Sequence, residues 1–172
     1  RPQAEVDALM ELICKGVEME SEELAKVGIR VRTIGDRSRF FVYSKASLEK
    51  IEQMTQAGEN MTFVLALNYS SRSEMTTAVQ NIAKRVAAGE IKAEEIDEKM
   101  ISESLYTSFM PDPDLIIRTS GECRLSNFLM WQASYSEFYF TPTLWPDFDK
   151  AELEKALEAY SARDRRYGLV KK

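Results

Sequence analysis

Apolar residues recur at helical spacing from the first turn of the chain. Val6, Leu9, Met10, Ile13 and Val17 form one stripe, widened sideways by Leu12, Met19 and Leu24. With Pro2 suited to a first turn and Gly28 placed to stop it, the pattern predicts a long helix over Pro2–Val27. So wide a stripe predicts a helix well buried in a core. Ile29–Ile34 then alternates apolar and polar, as a half-exposed edge strand does, and ends at Gly35-Asp36. The loop that follows carries Arg37 and Arg39, which suit either a solvated turn or an anion contact. Leu48, Ile51 and Met54 mark a helix over Lys45–Ala57, broken at Gly58, and Met61–Leu67 reads as a buried strand. Polar residues gather just past it, from Asn68 to Glu74. Met75, Val79, Ile82 and Val86 define a helix over Ser73–Ala88, and Ile96, Met100 and Leu105 define another over Ala93–Leu105.

The second half is punctuated by Pro111 and Pro113, which push the residues before them out of helical geometry. Leu115-Ile116-Ile117 is an apolar run of the kind that makes a strand buried on both faces. Ser126 is a good N-cap for a helical segment Asn127–Gln132, and Glu137 opens a second strand, Phe138–Phe140. Asp149 caps a final helix from Lys150 to about Arg166. Strands alternating with helices of crossover length predict an α/β fold, a parallel β-sheet covered by helices on both faces, in a single domain over residues 1–172. Four strands are few for that architecture, so further strands are expected from sequence preceding Arg1.

Composition narrows the chemistry. The chain has 172 residues, 44% of them hydrophobic, enough for one sizeable core. A net charge of -5 argues against nucleic acid as a partner. The two cysteines, Cys14 and Cys123, have no metal-ligand or redox spacing, and no run is apolar and long enough to span a membrane. A cytoplasmic location is expected. The chain contains no histidine, which removes the commonest general base and excludes Ser-His-Asp and Cys-His catalysis within it.

Charge collects in one place. Arg118, Thr119, Ser120, Gly121, Glu122 and Arg124 follow directly on the Leu115–Ile117 run, where a parallel strand delivers its ligand-binding groups. Arg118 and Arg124 can each offer a planar fork to phosphate oxygens, and Ser126 adds a hydroxyl and a helix start, which favours an anion. Glu137 is a carboxylate at the head of an aromatic strand, and Mg²⁺ takes one or two protein carboxylates together with phosphate oxygens. Charge placement alone leaves two readings open. One is metal-assisted chemistry on a diphosphate; the other is an internal ion pair of Arg118 with Glu122 or Glu137.

The run IRTSGECRLSNFLMWQASYSEFYFTPTLWPDF, residues 117–148, resembles almost residue for residue the C-terminal signature of the cis-prenyltransferases, the undecaprenyl diphosphate synthase or isoprenyl transferase family. ALNYSSRSEM is similar to the NYGGRxE segment of that family, RPQAEVDALMEL to the opening of its long helix, and RRYG to its terminal RRFG. The resemblance covers essentially the whole chain.

It implies sequential condensation of isopentenyl diphosphate onto an allylic diphosphate, farnesyl diphosphate, giving undecaprenyl diphosphate, a lipid carrier for cell-wall synthesis. By the same resemblance Arg118, Arg124 and Ser126 hold the diphosphate of isopentenyl diphosphate, with Leu125 inside the same substrate-binding segment, Glu137 is a Mg²⁺ ligand, and Arg1 contributes to substrate binding. Asn68, Arg72, Glu74 and Glu122 match motif positions of supporting role. A homodimer is implied, with the aromatic cluster Trp131, Tyr135, Phe138, Tyr139 and Phe140 at hand for it, and so is peripheral membrane contact for product release. The stripe on the long helix gains a second reading as the wall of a product tunnel, with Met10 and Met61 as adaptable wall residues. Two positions depart from the pattern. Cys123 stands where some members have a metal-binding histidine, and Ser70-Ser71 replaces a glycine pair. The DGNGRWA motif, with the essential aspartate and the allylic site, is not in these residues, so no catalytic residue is assigned and the 172 residues alone are expected to be inactive. The family also includes non-catalytic partner subunits, which is the alternative reading.

Overall fold

The computed structural model describes residues 2–38 and 42–163, which form two compact units, one up to Ser108 and one from Phe109. The first unit opens with α1 (Gln3–Lys26), followed by β1 (Ile29–Ile34), α2 (Val42–Met54), β2 (Met61–Ala66), α3 (Ser71–Ala87) and a short α4 (Glu98–Glu103). Gly28 ends α1 in the left-handed region, at φ 73°. The exposed carbonyls there are taken up by Asn60, whose Nδ2 donates to Val27 O at 2.9 Å and whose backbone N–H donates to Gly28 O at 3.0 Å. The single helix expected over Ala93–Leu105 is interrupted. Ile96 is extended, and Asp97 caps a new start by accepting from Met100 N at 2.7 Å. A short acidic side chain competes well for the backbone in this way.

β1 and β2 pair in parallel, from Ile29 opposite Met61 to Ile34 opposite Ala66. The wide stripe of α1 is divided by its surroundings. Met10 and Val17 are buried with Val31, Leu48 and Ile51, Val6 and Ile13 pack on that cluster from its rim, and Leu9, Leu12 and Met19 are exposed. The other edge of β1 would present bare N–H groups to solvent. Instead Val31 N donates to Thr55 Oγ1 at 3.0 Å and Thr33 N to Glu52 Oε1 at 2.8 Å, so side chains at the C-terminal end of α2 stand in for a neighbouring strand. Arg37 closes the same corner, donating from Nη2 to Glu52 Oε1 at 2.5 Å. This makes Arg37 a structural partner of α2 and not a free anion contact; Arg39 lies outside the described residues.

Ser70 shows why α3 tolerates the Ser-Ser pair. Its backbone is extended at φ -148° and its hydroxyl accepts from Ser73 N at 3.3 Å, an ordinary N-cap that asks for no glycine. Four residues on, Glu74 is 1% exposed. Its carboxylate accepts from Tyr69 Oη at 2.5 Å and from Tyr106 N at 2.8 Å, which ties α3 to the segment before Ser108. A buried carboxylate needs such donors, and sequence inspection gave it only a supporting role.

The second unit is built on β3 (Leu115–Arg118) and β4 (Glu137–Phe140), again parallel, with α5 (Lys150–Ser161) packed on β4. Asp149 caps α5 by accepting from Glu152 N at 3.0 Å, as expected. α5 ends at Ser161, short of the predicted Arg166, and residues beyond Arg163 lie outside the described ones. The architecture is α/β with parallel strands, and among the described residues the four strands form two pairs, one in each unit.

Candidate functional site

β3 and β4 set the frame of the site. Their register places Leu115 opposite Glu137 and Arg118 opposite Phe140, so Arg118 stands at the carboxyl end of the pair. That is the end at which open α/β sheets bind ligands. Thr141 N donates to Arg118 O at 3.0 Å, and the chain then turns through Ser120 and Gly121, both left-handed at φ 67° and 68°. Their N–H groups donate to Thr143 O and Thr141 O, each at 2.9 Å. Past the turn, Arg124 forms an ion pair with Glu122.

The predicted helix over Asn127–Gln132 is absent. Ser126, Asn127 and Leu129 are all left-handed, at φ 50°, 66° and 46°, and the only regular piece nearby is a 3₁₀ turn over Gln132–Tyr135. An N-cap residue needs an extended backbone, which Ser126 does not have, so it starts no helix and offers no helix dipole to an anion. Among the described residues, four of the five non-glycine positions with positive φ fall between Ser120 and Leu129. Each costs about 1–3 kcal/mol and persists only where the surroundings enforce it, a pattern that clusters at ligand sites.

Arg118, Arg124 and Leu125 line one cavity of about 260 Å³, walled by Ile116, Ile117, Phe128, Phe138 and Phe140. Two guanidinium groups thus meet an aliphatic and aromatic wall. Phe138 and Phe140, two apart on β4, stack with ring centroids 5.9 Å apart and form much of that wall. Ser126 and Glu137 are not among the lining residues. Glu137 stands at the other end of the strand pair, three residues from the level of Arg118, or roughly 10 Å along a strand. Its carboxylate is held by Arg163, which donates from Nη1 at 2.5 Å. The internal ion pair of Arg118 with Glu122 or Glu137 therefore does not form. Glu122 has Arg124, Glu137 has Arg163, and Arg118 takes part in none of the ion pairs among the described residues. Arg1 lies outside the described residues.

Glu137 fits a magnesium ion only as one hard oxygen donor among phosphate oxygens and water, the pattern usual for Mg²⁺ at diphosphates. Among the described residues no three His, Cys, Asp or Glu side chains gather closely enough to form a metal cage. Cys123 is exposed, and its thiol points back to Gly121 O at 3.9 Å. Soft sulfur is a poor donor for Mg²⁺, and nothing in its setting changes that.

A family model described as "Putative undecaprenyl diphosphate synthase" matches residues 1–168. The chain belongs to that family. It is 51% identical to an isoprenyl transferase of Agrobacterium fabrum over 99% of the chain and 69% of the relative. It is 44% identical to a ditrans,polycis-undecaprenyl-diphosphate synthase of Xanthomonas axonopodis pv. citri, (2E,6E)-farnesyl-diphosphate specific, over 99% of the chain and 66% of that protein. The chain spans about two thirds of the length of these relatives. The crystal structure of lavandulyl diphosphate synthase from Lavandula x intermedia, in complex with dimethylallyl diphosphate, superposes with a TM-score of 0.94 at 38% identity, covering 98% of the chain and 73% of that structure. The α/β fold with parallel strands is thus that of the undecaprenyl diphosphate synthase family.

The sequence motifs identified the two arginines and Leu125 that share the cavity. They missed Thr141, Thr143 and Glu152, which fasten the loop behind it. The signals were present in the Thr141-Pro142-Thr143 hydroxyl pair and the Asp149-to-Glu152 capping spacing, but nothing in the sequence ties one to the other.

No helix among the described residues is long and apolar enough to cross a membrane. In the first unit a second cavity, of about 330 Å³, lies between α1, α2 and the two strands. Ile13, Val17, Leu24, Val31, Ile51, Phe63 and Leu65 line it, with Gly16 and Glu20. Of the two methionines expected as tunnel wall, Met10 is in the core and Met61 is 51% exposed, and neither lines this cavity.

Proposed function

We propose that the protein carrying this chain is a cis-prenyltransferase that condenses isopentenyl diphosphate sequentially onto farnesyl diphosphate to give undecaprenyl diphosphate, and that the cavity at the end of β3 holds the isopentenyl diphosphate. The observation that carries this reading is the shared cavity of Arg118, Arg124 and Leu125. Isopentenyl diphosphate is a short apolar group bearing a multiply charged anionic head, and the cavity pairs two guanidinium forks with an apolar wall. Arginine suits diphosphate because its planar donors match phosphate oxygens in pairs. Arg124 retains donors beyond those it gives Glu122, since a guanidinium has five N–H groups. Ser126 follows Leu125 directly but does not line the cavity, and its part in holding the diphosphate rests on the family resemblance.

In the reaction the allylic C–O bond breaks and diphosphate departs with the bonding electrons. The double bond of isopentenyl diphosphate forms the new C–C bond at the allylic carbon, and a proton passes from the isopentenyl unit to the released diphosphate or to water, leaving the new cis double bond. The chain's residues orient the isopentenyl group by its diphosphate and keep its apolar part against Phe138 and Phe140. With no histidine in the chain, the catalytic contribution of these residues is electrostatic and positional. Glu137 is the residue that would hold Mg²⁺, which supplies charge neutralisation at diphosphate when bound.

The apolar cavity of the first unit is the place where a growing polyprenyl chain fits, because α1 and Phe63 present it an almost wholly hydrocarbon surface. Both units are read as parts of a single domain, the C-terminal part of a cis-prenyltransferase. A homodimer is the assembly the family resemblance implies, and of the aromatic residues at hand for it Tyr135 is 79% exposed and Phe140 43%. Light scattering on the full-length protein tests that, and a monomeric mass overturns it. For the activity, full-length protein is incubated with radiolabelled isopentenyl diphosphate, farnesyl diphosphate and Mg²⁺. Label in a butanol-extractable polyprenyl product is expected, and its absence overturns the reading.

A further inference from the structure

The turn that carries the cradle leans on the loop after β4. Ser120 and Gly121 give their N–H groups to Thr143 O and Thr141 O, and Thr141 N returns one to Arg118 O. That second loop is in turn fastened by hydroxyls. Thr143 N donates to Thr141 Oγ1 at 3.2 Å, Thr141 Oγ1 donates to Thr143 Oγ1 at 3.0 Å, and Thr143 Oγ1 donates to Glu152 Oε2 at 3.0 Å. Each hydroxyl has one proton, so the acceptor at the end decides the direction of the whole chain. A carboxylate can only accept, which turns Thr143 toward Glu152 and leaves its lone pair for Thr141. Thr141 is 4% exposed and the Glu152 side chain 18%, so water replaces these bonds poorly. The other carboxylate oxygen of Glu152 accepts from Lys155 Nζ at 2.5 Å, which holds it in place on the surface of α5.

We propose that Glu152 and Thr143 are positioning residues for the diphosphate cradle: through Thr141 they set the backbone of Ser120 and Gly121, and with it the placement of Arg118 and Arg124. The inference rests on the isopentenyl diphosphate reading of that cavity. It differs from a purely structural role for Glu152, because the start of α5 is capped by Asp149 and does not depend on the Glu152 side chain.

The test uses the full-length protein with Thr143→Val, Thr143→Ser and Glu152→Met. Isopentenyl diphosphate is titrated calorimetrically without allylic substrate, and steady-state constants are measured alongside. Thr143→Val is expected to weaken isopentenyl diphosphate binding and raise its KM by about tenfold, the scale of one hydrogen bond to a charged group. kcat and the KM for farnesyl diphosphate stay within about twofold of wild type, and Thr143→Ser restores most of the loss. If Thr143→Val does not fold, Glu152→Met, which removes the acceptor of the Thr143 hydroxyl, carries the same expectation. Unchanged binding in the folded variants overturns the inference while leaving the cradle reading intact. Absence of binding by the wild-type protein overturns the cradle reading and the inference with it.

Discussion

Arg163 grips β4 at two adjacent points, donating from Nη1 to Glu137 Oε2 at 2.5 Å and from Nη2 to Phe138 O at 2.6 Å. The residue lies just beyond the end of α5, so this fork pins the helix to the head of β4. With side chains 36% and 30% exposed, the pair contributes on the order of 1 kcal/mol or less. In the proposed Mg²⁺ role of Glu137 this guanidinium would compete with the cation, by its charge and by occupying one of the two carboxylate oxygens.

Arg163→Gln is therefore expected to strengthen binding of a divalent cation at Glu137 several-fold. Mn²⁺ titration in the presence of inorganic diphosphate, followed by electron paramagnetic resonance, reads this without turnover. Glu137→Gln should weaken the same binding. Equal affinities in wild type and Arg163→Gln would show that the two do not compete.

Arg118 stands in none of the ion pairs among the described residues, so its loss should leave folding largely untouched and binding badly impaired. Arg118→Ala is expected to raise the KM for isopentenyl diphosphate by roughly 10–100-fold, the value of one or two charge-assisted hydrogen bonds. Arg118→Lys should recover little of it, because an ammonium cannot reproduce the planar fork. Thermal unfolding checks the first half of the claim, and a fall in Tm of many degrees would contradict it.

The Glu152 carboxyl is held below the usual carboxylate range, first by its hydrogen bond from Lys155 and then by that from Thr143. Lys155 is raised by the same partner. A carboxyl depressed by folding stabilises the native state above its unfolded pKa, about 4.3, and that contribution disappears as pH falls through the lowered value. A raised lysine stabilises below its unfolded pKa, about 10.4, and loses its effect as pH climbs through the raised value. Hydrogen exchange of α5 should thus show a plateau of protection from about pH 5 to 10, falling away on both sides. Thr143→Val should move the acid limb upward, and an unmoved limb would count against the Thr143 bond.

Much of the frame was legible because it rests on local pattern. Gly28 stopping α1 and Asp149 starting α5 follow from near neighbours in sequence, and the parallel pairing follows from strands alternating with helices of crossover length. The helix after Ser126 was misread for the same reason, since the left-handed backbone at Ser126, Asn127 and Leu129 is imposed by surroundings that no local propensity encodes. The site divides likewise. Arg118, Arg124 and Leu125 fall together because strand, turn and loop deliver them within eight residues. Glu137 was grouped with them on charge and on the family resemblance, and only the register of Leu115 with Glu137 places it at the opposite end of the strand pair. Its partner Arg163 lies 26 residues on, beyond reach of any motif.

Gly16 offers the sharpest test of the apolar cavity. It sits in mid-helix on α1, lines that cavity, and a Cβ built on it would meet nothing within 4 Å. Gly16→Ala should accordingly stabilise the protein by about 0.5–1 kcal/mol, since a mid-helix glycine carries an entropic cost and no contact opposes the methyl. A larger side chain would enter the cavity without displacing backbone, so Gly16→Leu should fill part of its roughly 330 Å³ while keeping the helix. If the growing polyprenyl chain occupies this space, Gly16→Leu shortens the product while the first condensation proceeds at close to its normal rate. Mass spectrometry of the extracted diphosphates reads the chain length directly. An unchanged product distribution from a stable, active Gly16→Leu protein would place the growing chain elsewhere.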